Sequence, residues 1–116
     1  MTEYKNLLVW KRSIILAKQV YKLTETFPST QKYSLVDQMC RCAISVPSNV
    51  AEGSKRSTAK DFKSFLHISL GSLAELETQI VIAHDLGYVT EKDFNPFVKE
   101  VDELSKMLHV LIKKLL

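Results

Sequence analysis

Three histidines, two cysteines and thirteen carboxylates are the side chains in this 116-residue chain equipped to ligate a metal, move a proton or attack a substrate. A paired-metal site inside a helical protein needs Glu-x-x-His repeats. The residues three before His67, His84 and His109 are Ser64, Val81 and Lys106, so that chemistry is excluded. His67 falls on an outer helix face and His84 at the edge of an apolar stripe. Cys40 and Cys42 are two apart on a helix, about 200° around its axis, and can neither pair nor share one metal. They read as small buried hydrophobes of a reducing compartment. Glu75 and Glu77 diverge for the same geometric reason, and Glu77 reads as a boundary ion pair with a partner such as Arg41. Gly53, Gly71 and Gly87 build no phosphate loop or dinucleotide fingerprint, and no serine occupies a G-x-S-x-G elbow. The reading is a protein with no catalytic centre, no metal and no cofactor.

What remains is charge. The net charge is +3, but residues 1–72 carry 11 Lys and Arg against 5 Asp and Glu, whereas residues 73–116 carry 5 against 8. Lys55, Arg56, Lys60 and Lys63 cluster in sequence, offset by Glu52 and Asp61. Lys5, Lys11, Lys18 and Lys22 add a stripe near the N-terminus. Such groups neutralise phosphates along a nucleic-acid backbone. Aromatic residues are not expected to interleave with them and no groove-reading motif is present, so recognition of a base sequence is not indicated.

The elements that carry these residues are helices. Three glycines and three prolines in 116 residues are too few for a β-sandwich or barrel. The first helix runs from about Asn6 to Thr26, ended by Phe27-Pro28. It has two apolar stripes: Leu7, Trp10, Ile14, Ala17 and Tyr21, and then Val9, Leu16, Val20, Leu23 and Phe27, about 130° away. One bundle core needs only one stripe, so Val9, Leu16, Val20 and Leu23 are assigned to a subunit seam. The second helix runs from Ser34, with Asp37 as a capping partner, to Glu52, where Gly53 stops it. Val36, Met39, Ala43, Val46 and Val50 form its seam. Pro47 removes the bond to the Ala43 carbonyl and is expected to kink the helix without ending it. Its opposite face carries a polar line of Gln38, Arg41, Ser45, Asn49 and Glu52.

Thr58 with Asp61 opens a third helix that reaches Leu86 before Gly87. Phe62, Phe65, Leu66, Ser69, Leu73, Leu76, Ile80 and Ala83 face its core. Ser64, Gly71 and Thr78 recur every seven residues on its far side, where either another helix approaches closely or solvent begins. Gly71 costs about 1 kcal/mol against alanine in a helix interior. Thr90 with Asp93 opens the last helix, from Glu91 nearly to Leu116, with Phe94, Phe97 or Val98, Val101, Leu104, Leu108, Leu111 and Leu115 inward. Short loops between long helices make the expected fold an all-α, antiparallel up-down four-helix bundle forming one domain over 1–116. No apolar run spans a membrane, and the N-terminus lacks a secretory pattern, so the expected location is cytoplasmic.

Several blocks resemble a known family. They are Val9-Trp10, Tyr21-Lys22-Leu23, Phe27-Pro28, the run Leu35-x-x-Gln38-x-x-Arg41-x-x-x-Ser45-x-Pro47-x-Asn49-x-Ala51-Glu52-Gly53, Phe65-Leu66, and Gly71 to Gln79. Over about residues 5–89 the chain is similar to the bacterial four-helix bundle family named for the 23S rRNA intervening sequence. The resemblance implies a cyclic homo-oligomer, a homopentamer, with no known enzymatic activity. It also implies kinship with the accessory variability protein of diversity-generating retroelements, a basic pentamer that binds a reverse transcriptase and nucleic acid. Gln38, Arg41, Ser45, Asn49 and Glu52 coincide with motif positions, and either lock helices together or present a binding surface. The expected function is a non-enzymatic oligomeric scaffold that contacts RNA or a ribonucleoprotein through Lys11, Lys18, Lys22, Lys55, Arg56, Lys60 and Lys63. The alternative is a protein-protein adaptor ring without nucleic acid.

Overall fold

Four long helices account for most of the computed structural model, which describes residues 3–115. They are α1 (Leu8–Thr24), α2 (Leu35–Ser54), α3 (Ala59–Asp85) and α4 (Glu91–Lys114), with short 3-10 turns at Tyr4–Asn6 and Ser29–Gln31. No strand occurs among the described residues, as the scarcity of turn formers predicts. Two helix starts follow the expected capping chemistry: the Thr58 hydroxyl accepts from the Asp61 amide at 3.1 Å and the Thr90 hydroxyl from the Asp93 amide at 3.3 Å. Ser34 does not cap α2. Its hydroxyl turns back to donate to the Gln31 side chain at 3.0 Å, inside the turn before the helix. Gly87, at φ 82°, takes the left-handed conformation that ends α3 without strain. No described helix is long and apolar enough to cross a membrane.

Each helix has two neighbours: α2 packs on α1 and α3, and α4 on α3 and α1. Between α2 and α3 the partners are Cys42 with Gln79, Ser45 with Ser72, Val46 with Ser69, and Gly53 with Phe62. Residue numbers therefore fall along one helix as they rise along the other. Arg12 joins α1 to α4 through two donated bonds to the Glu100 carboxylate, one from Nε at 3.0 Å, and its Nη1 approaches Met107 Sδ at 3.6 Å. That carboxylate holds the Arg12 guanidinium above its ordinary pKa, mainly through the hydrogen bond.

The core contains Met39, Ala43, Val46 and Val50 of α2, Leu66, Leu73, Leu76 and Ile80 of α3, and Val101, Leu104 and Leu108 of α4. On α1 the expectation is reversed. Val9, Leu16 and Val20 are 4%, 1% and 0% exposed, so these three residues are the protein's own core and not a subunit seam, and the partly buried Leu23 packs against that core. Ser13 and Thr24 lie in the same buried line, and their hydroxyls are satisfied within α1 by donating to the carbonyls of Trp10 and Val20, both at 2.8 Å. Polar by type but self-satisfied, they fit a core that residue type alone assigns elsewhere. The other stripe, with Trp10, Ile14 and Tyr21, is left half-buried or exposed on α1 beside α2.

Gly53 also departs from its expected role. It does not stop α2, which continues through it to Ser54, and it is buried. A Cβ there would sit 2.7 Å from Phe65 Cβ and 2.9 Å from Phe62 Cδ1. The glycine lets α2 and α3 approach at their shared loop. Of the alternatives on α4, Phe97 is buried and Val98 only partly so.

Candidate nucleic-acid interface

The close approach at Gly53 brings the α2–α3 loop against the N-terminal 3-10 turn. Two cations approach the Tyr4 ring there, with Lys5 Nζ 5.9 Å and Lys55 Nζ 5.5 Å from its centroid. Tyr4 also meets Trp10 edge-on, centroids 5.4 Å apart. The expectation that aromatics do not mix with the lysines is thus corrected: residues 50 positions apart in sequence converge, an arrangement no local spacing reveals. The local sign is that several of these lysines follow an aromatic residue directly, in Tyr4-Lys5, Trp10-Lys11, Tyr21-Lys22 and Phe62-Lys63.

From this end a groove of about 760 Å³ runs between α1 and α2. Its floor is Trp10, Ile14, Ile44 and Pro47, and Lys18, Tyr21 and Lys22 line it farther along α1. Lys11, Lys18 and Lys22 are all exposed on α1, whereas Lys5 precedes the helix in the turn. Lys60 is exposed and Lys63 half-buried in the first turns of α3. None of Lys5, Lys11, Lys18, Lys22, Lys55, Lys60 or Lys63 joins an ion pair among the described residues. Arg56 differs. It pairs with Glu52 at 2.8 Å and stacks over the Phe65 ring at 4.7 Å, which makes it a brace for the loop.

His84 and the two cysteines are absorbed by packing, whereas His67 and His109 are exposed. His84 lies 2.5 Å from Glu91 through Nε2 and stacks on Phe94 at 4.1 Å, tying the end of α3 to the start of α4. Cys42 Sγ lies 3.4 Å from Gln79 Nε2 and 3.7 Å from Glu75 Oε2, and burial pushes both the Cys40 and Cys42 thiols up from their ordinary value. Raised thiols stay protonated at neutral pH and are poor nucleophiles. Among the described residues no group of three His, Cys, Asp or Glu side chains is placed to hold a metal.

A family model described as 23S rRNA-intervening sequence protein matches residues 5–110, nearly the whole chain. The chain belongs to the 23S rRNA-intervening sequence protein family. The family expectation drawn from the S-x-P-x-N-x-A-E-G and G-S-L-A-E-L-E blocks is met. The fold of this 23S rRNA-intervening sequence protein is similar to that of a protein of unknown function from the S23 ribosomal protein family of Bacteroides thetaiotaomicron, solved at 1.70 Å resolution. The TM-score is 0.84 at 23% identity, covering 91% of this chain and 99% of that one. No curated protein sequence matches the chain.

The polar motif line of this family member divides by burial. Ser45 accepts from the Ser72 hydroxyl at 2.8 Å and from Asn49 Nδ2 at 2.9 Å, and Asn49 also donates to the Ser45 carbonyl at 2.8 Å. The Ser72–Ser45 bond ties α2 to α3, and Asn49, bonded within α2, holds the Ser45 side chain in place. Gln38, Arg41 and Glu52 are exposed, and Arg41 pairs with Asp37 at 3.2 Å and not with Glu77. On α3, Ser64, Gly71 and Thr78 are exposed, and nothing lies within 4 Å of a Cβ added at Gly71.

Proposed function

We propose that this 23S rRNA-intervening sequence protein is a non-enzymatic, cytoplasmic scaffold that assembles as a cyclic homo-oligomer and contacts RNA or a ribonucleoprotein through its basic end. The observation that carries the reading is the convergence of Lys5 and Lys55 on Tyr4, continued by Lys18 and Lys22, with none of these cations in an ion pair among the described residues. Unpaired lysines gathered on one surface keep their charge for phosphates, and releasing the counterions around those phosphates drives association. In a mobility-shift titration at about 50 mM salt the protein retards RNA, and a Lys55→Gln, Lys60→Gln, Lys63→Gln variant binds it several-fold more weakly. Absence of a shift at that salt concentration removes the reading.

The order of partners between α2 and α3 supports an antiparallel up-down bundle held as a single domain, and the amide missing at Pro47 supports a bend in α2 beside the groove. Assembly is assigned to the outer line of α3, where Ser64, Gly71 and Thr78 alternate with exposed Ile68 and Ile82. A pentamer, and a kinship with the accessory variability protein, fit the same family frame. Gly71→Ala separates the two explanations of that glycine. Within one chain the methyl has room, and the better helix former stabilises the fold by up to about 1 kcal/mol. If a second copy packs closely there, the same substitution lowers the assembled mass in light scattering while the thermal midpoint of the isolated chain rises. An unchanged mass moves the subunit contact off this face.

A further inference from the structure

We infer that the groove between α1 and α2 is a stacking site for single-stranded RNA, with Trp10 and Tyr21 receiving bases, Lys5, Lys18, Lys22 and Lys55 holding phosphates, and Tyr4, whose ring already carries Lys5 and Lys55, positioning those two cations. The inference rests on the proposed RNA contact and narrows it from a basic surface to a strand type and a seat. Trp10 and Tyr21 line one groove from the same side of α1, and Tyr4 closes its end from the preceding turn. From Trp10 to Lys22 is 12 residues of helix, a span of about 18 Å, which accommodates a short run of nucleotides.

The occupant follows from charge. Four lysines flank the groove, two at Tyr4 and two along α1, whereas Glu25 is the one acid among the lining residues. An apolar floor with an unneutralised cationic rim suits a polyanion that also carries flat apolar faces. Single-stranded nucleic acid has both: its phosphates meet the lysines, and its unstacked bases offer π-faces to any aromatic ring regardless of sequence. A duplex hides those faces in its own stack and would reach only the lysines. Tyr21 is 48% exposed, so its ring is open to a ligand without rearranging the core.

Trp10 is the only tryptophan, which makes the protein its own probe. Adding a ten-nucleotide single-stranded RNA to the full chain at low salt quenches Trp10 emission in a saturable manner, and a duplex of equal length quenches it far less. With end-labelled RNA, Trp10→Leu and Tyr21→Leu each weaken single-strand binding about ten-fold and leave duplex binding nearly unchanged. Tyr21→Leu guards against a folding artefact, because its side chain is largely outside the core. If single strand and duplex bind alike, with steep salt dependence but no quenching, the stacking site is wrong while the phosphate contact stands. If no RNA binds at low salt, both fail. If Trp10 emission shifts with protein concentration alone, a second copy covers the groove and the inference is overturned.

Discussion

Gly53→Ala lowers the stability of this protein even though alanine is the better helix former. Gly53 is inside α2, so the substitution gains about 1 kcal/mol of helical propensity. Against this, the new methyl would sit 2.7 Å from Phe65 Cβ and 3.3 Å from the Phe62 carbonyl oxygen. Both atoms are fixed to the backbone of α3, so relief requires the two helices to separate at their shared loop. Overpacking of this kind costs roughly 1–3 kcal/mol, and Gly53→Val, with more bulk to place and a weaker helix propensity, lies at or beyond its upper end. Denaturant midpoints of the two variants, both below that of the parent and valine lower, check the argument. The consequence reaches the basic end, because the same approach seats Lys55 over Tyr4. Gly53→Ala therefore weakens RNA binding under conditions where the chain is still folded.

Leu16→Ala decides which face of α1 is the protein's own core. Leu16 is 1% exposed within one chain, and its truncation leaves a cavity among Val20, Met39 and the other buried aliphatics of that core. Losses of this kind run at about 2–5 kcal/mol. A seam residue would behave differently: its loss would lower the subunit number and leave the unfolding of the separated chain nearly unchanged. The expected result is a large drop in the denaturation midpoint, with the assembled mass by light scattering unaltered at concentrations where the chain remains folded. Ile14→Ala, on the half-buried stripe beside the groove, costs less because its side chain keeps more contact with solvent.

The helices themselves were legible because their signals are local. Thr58 with Asp61 and Thr90 with Asp93 mark two starts that the hydroxyls then cap, and the inward residues of α2, α3 and α4 follow the helical period. On α1 two apolar stripes competed, and residue type alone does not rank them: the stripe of Val9, Leu16 and Val20 is the buried one, in line with Ser13 and Thr24, whose hydroxyls bond to their own helix. Gly53 looked like a stop, since glycine after Glu52 is also how helices end; only the position of Phe62 and Phe65 distinguishes a stop from a close approach. The candidate interface was half legible. Its lysines could be counted, but the approach of Lys5 and Lys55 to one ring depends on tertiary placement of the loop, and the pairing of Arg56 with Glu52 changes that arginine from a phosphate contact into a brace.

Salt dependence tests the central claim most directly. Affinity for single-stranded RNA, measured by anisotropy between about 50 and 200 mM salt, should fall linearly in a log-log plot with a slope near −0.7 for each phosphate neutralised, so about −3 if four lysines engage. Replacing Lys5, Lys18, Lys22 and Lys55 with glutamine should flatten that slope toward zero while lowering stability by no more than about 1–2 kcal/mol, the worth of the Lys5 and Lys55 contacts with Tyr4. An affinity that does not change with salt, or a slope left intact by the four substitutions, would contradict an RNA contact built on these cations.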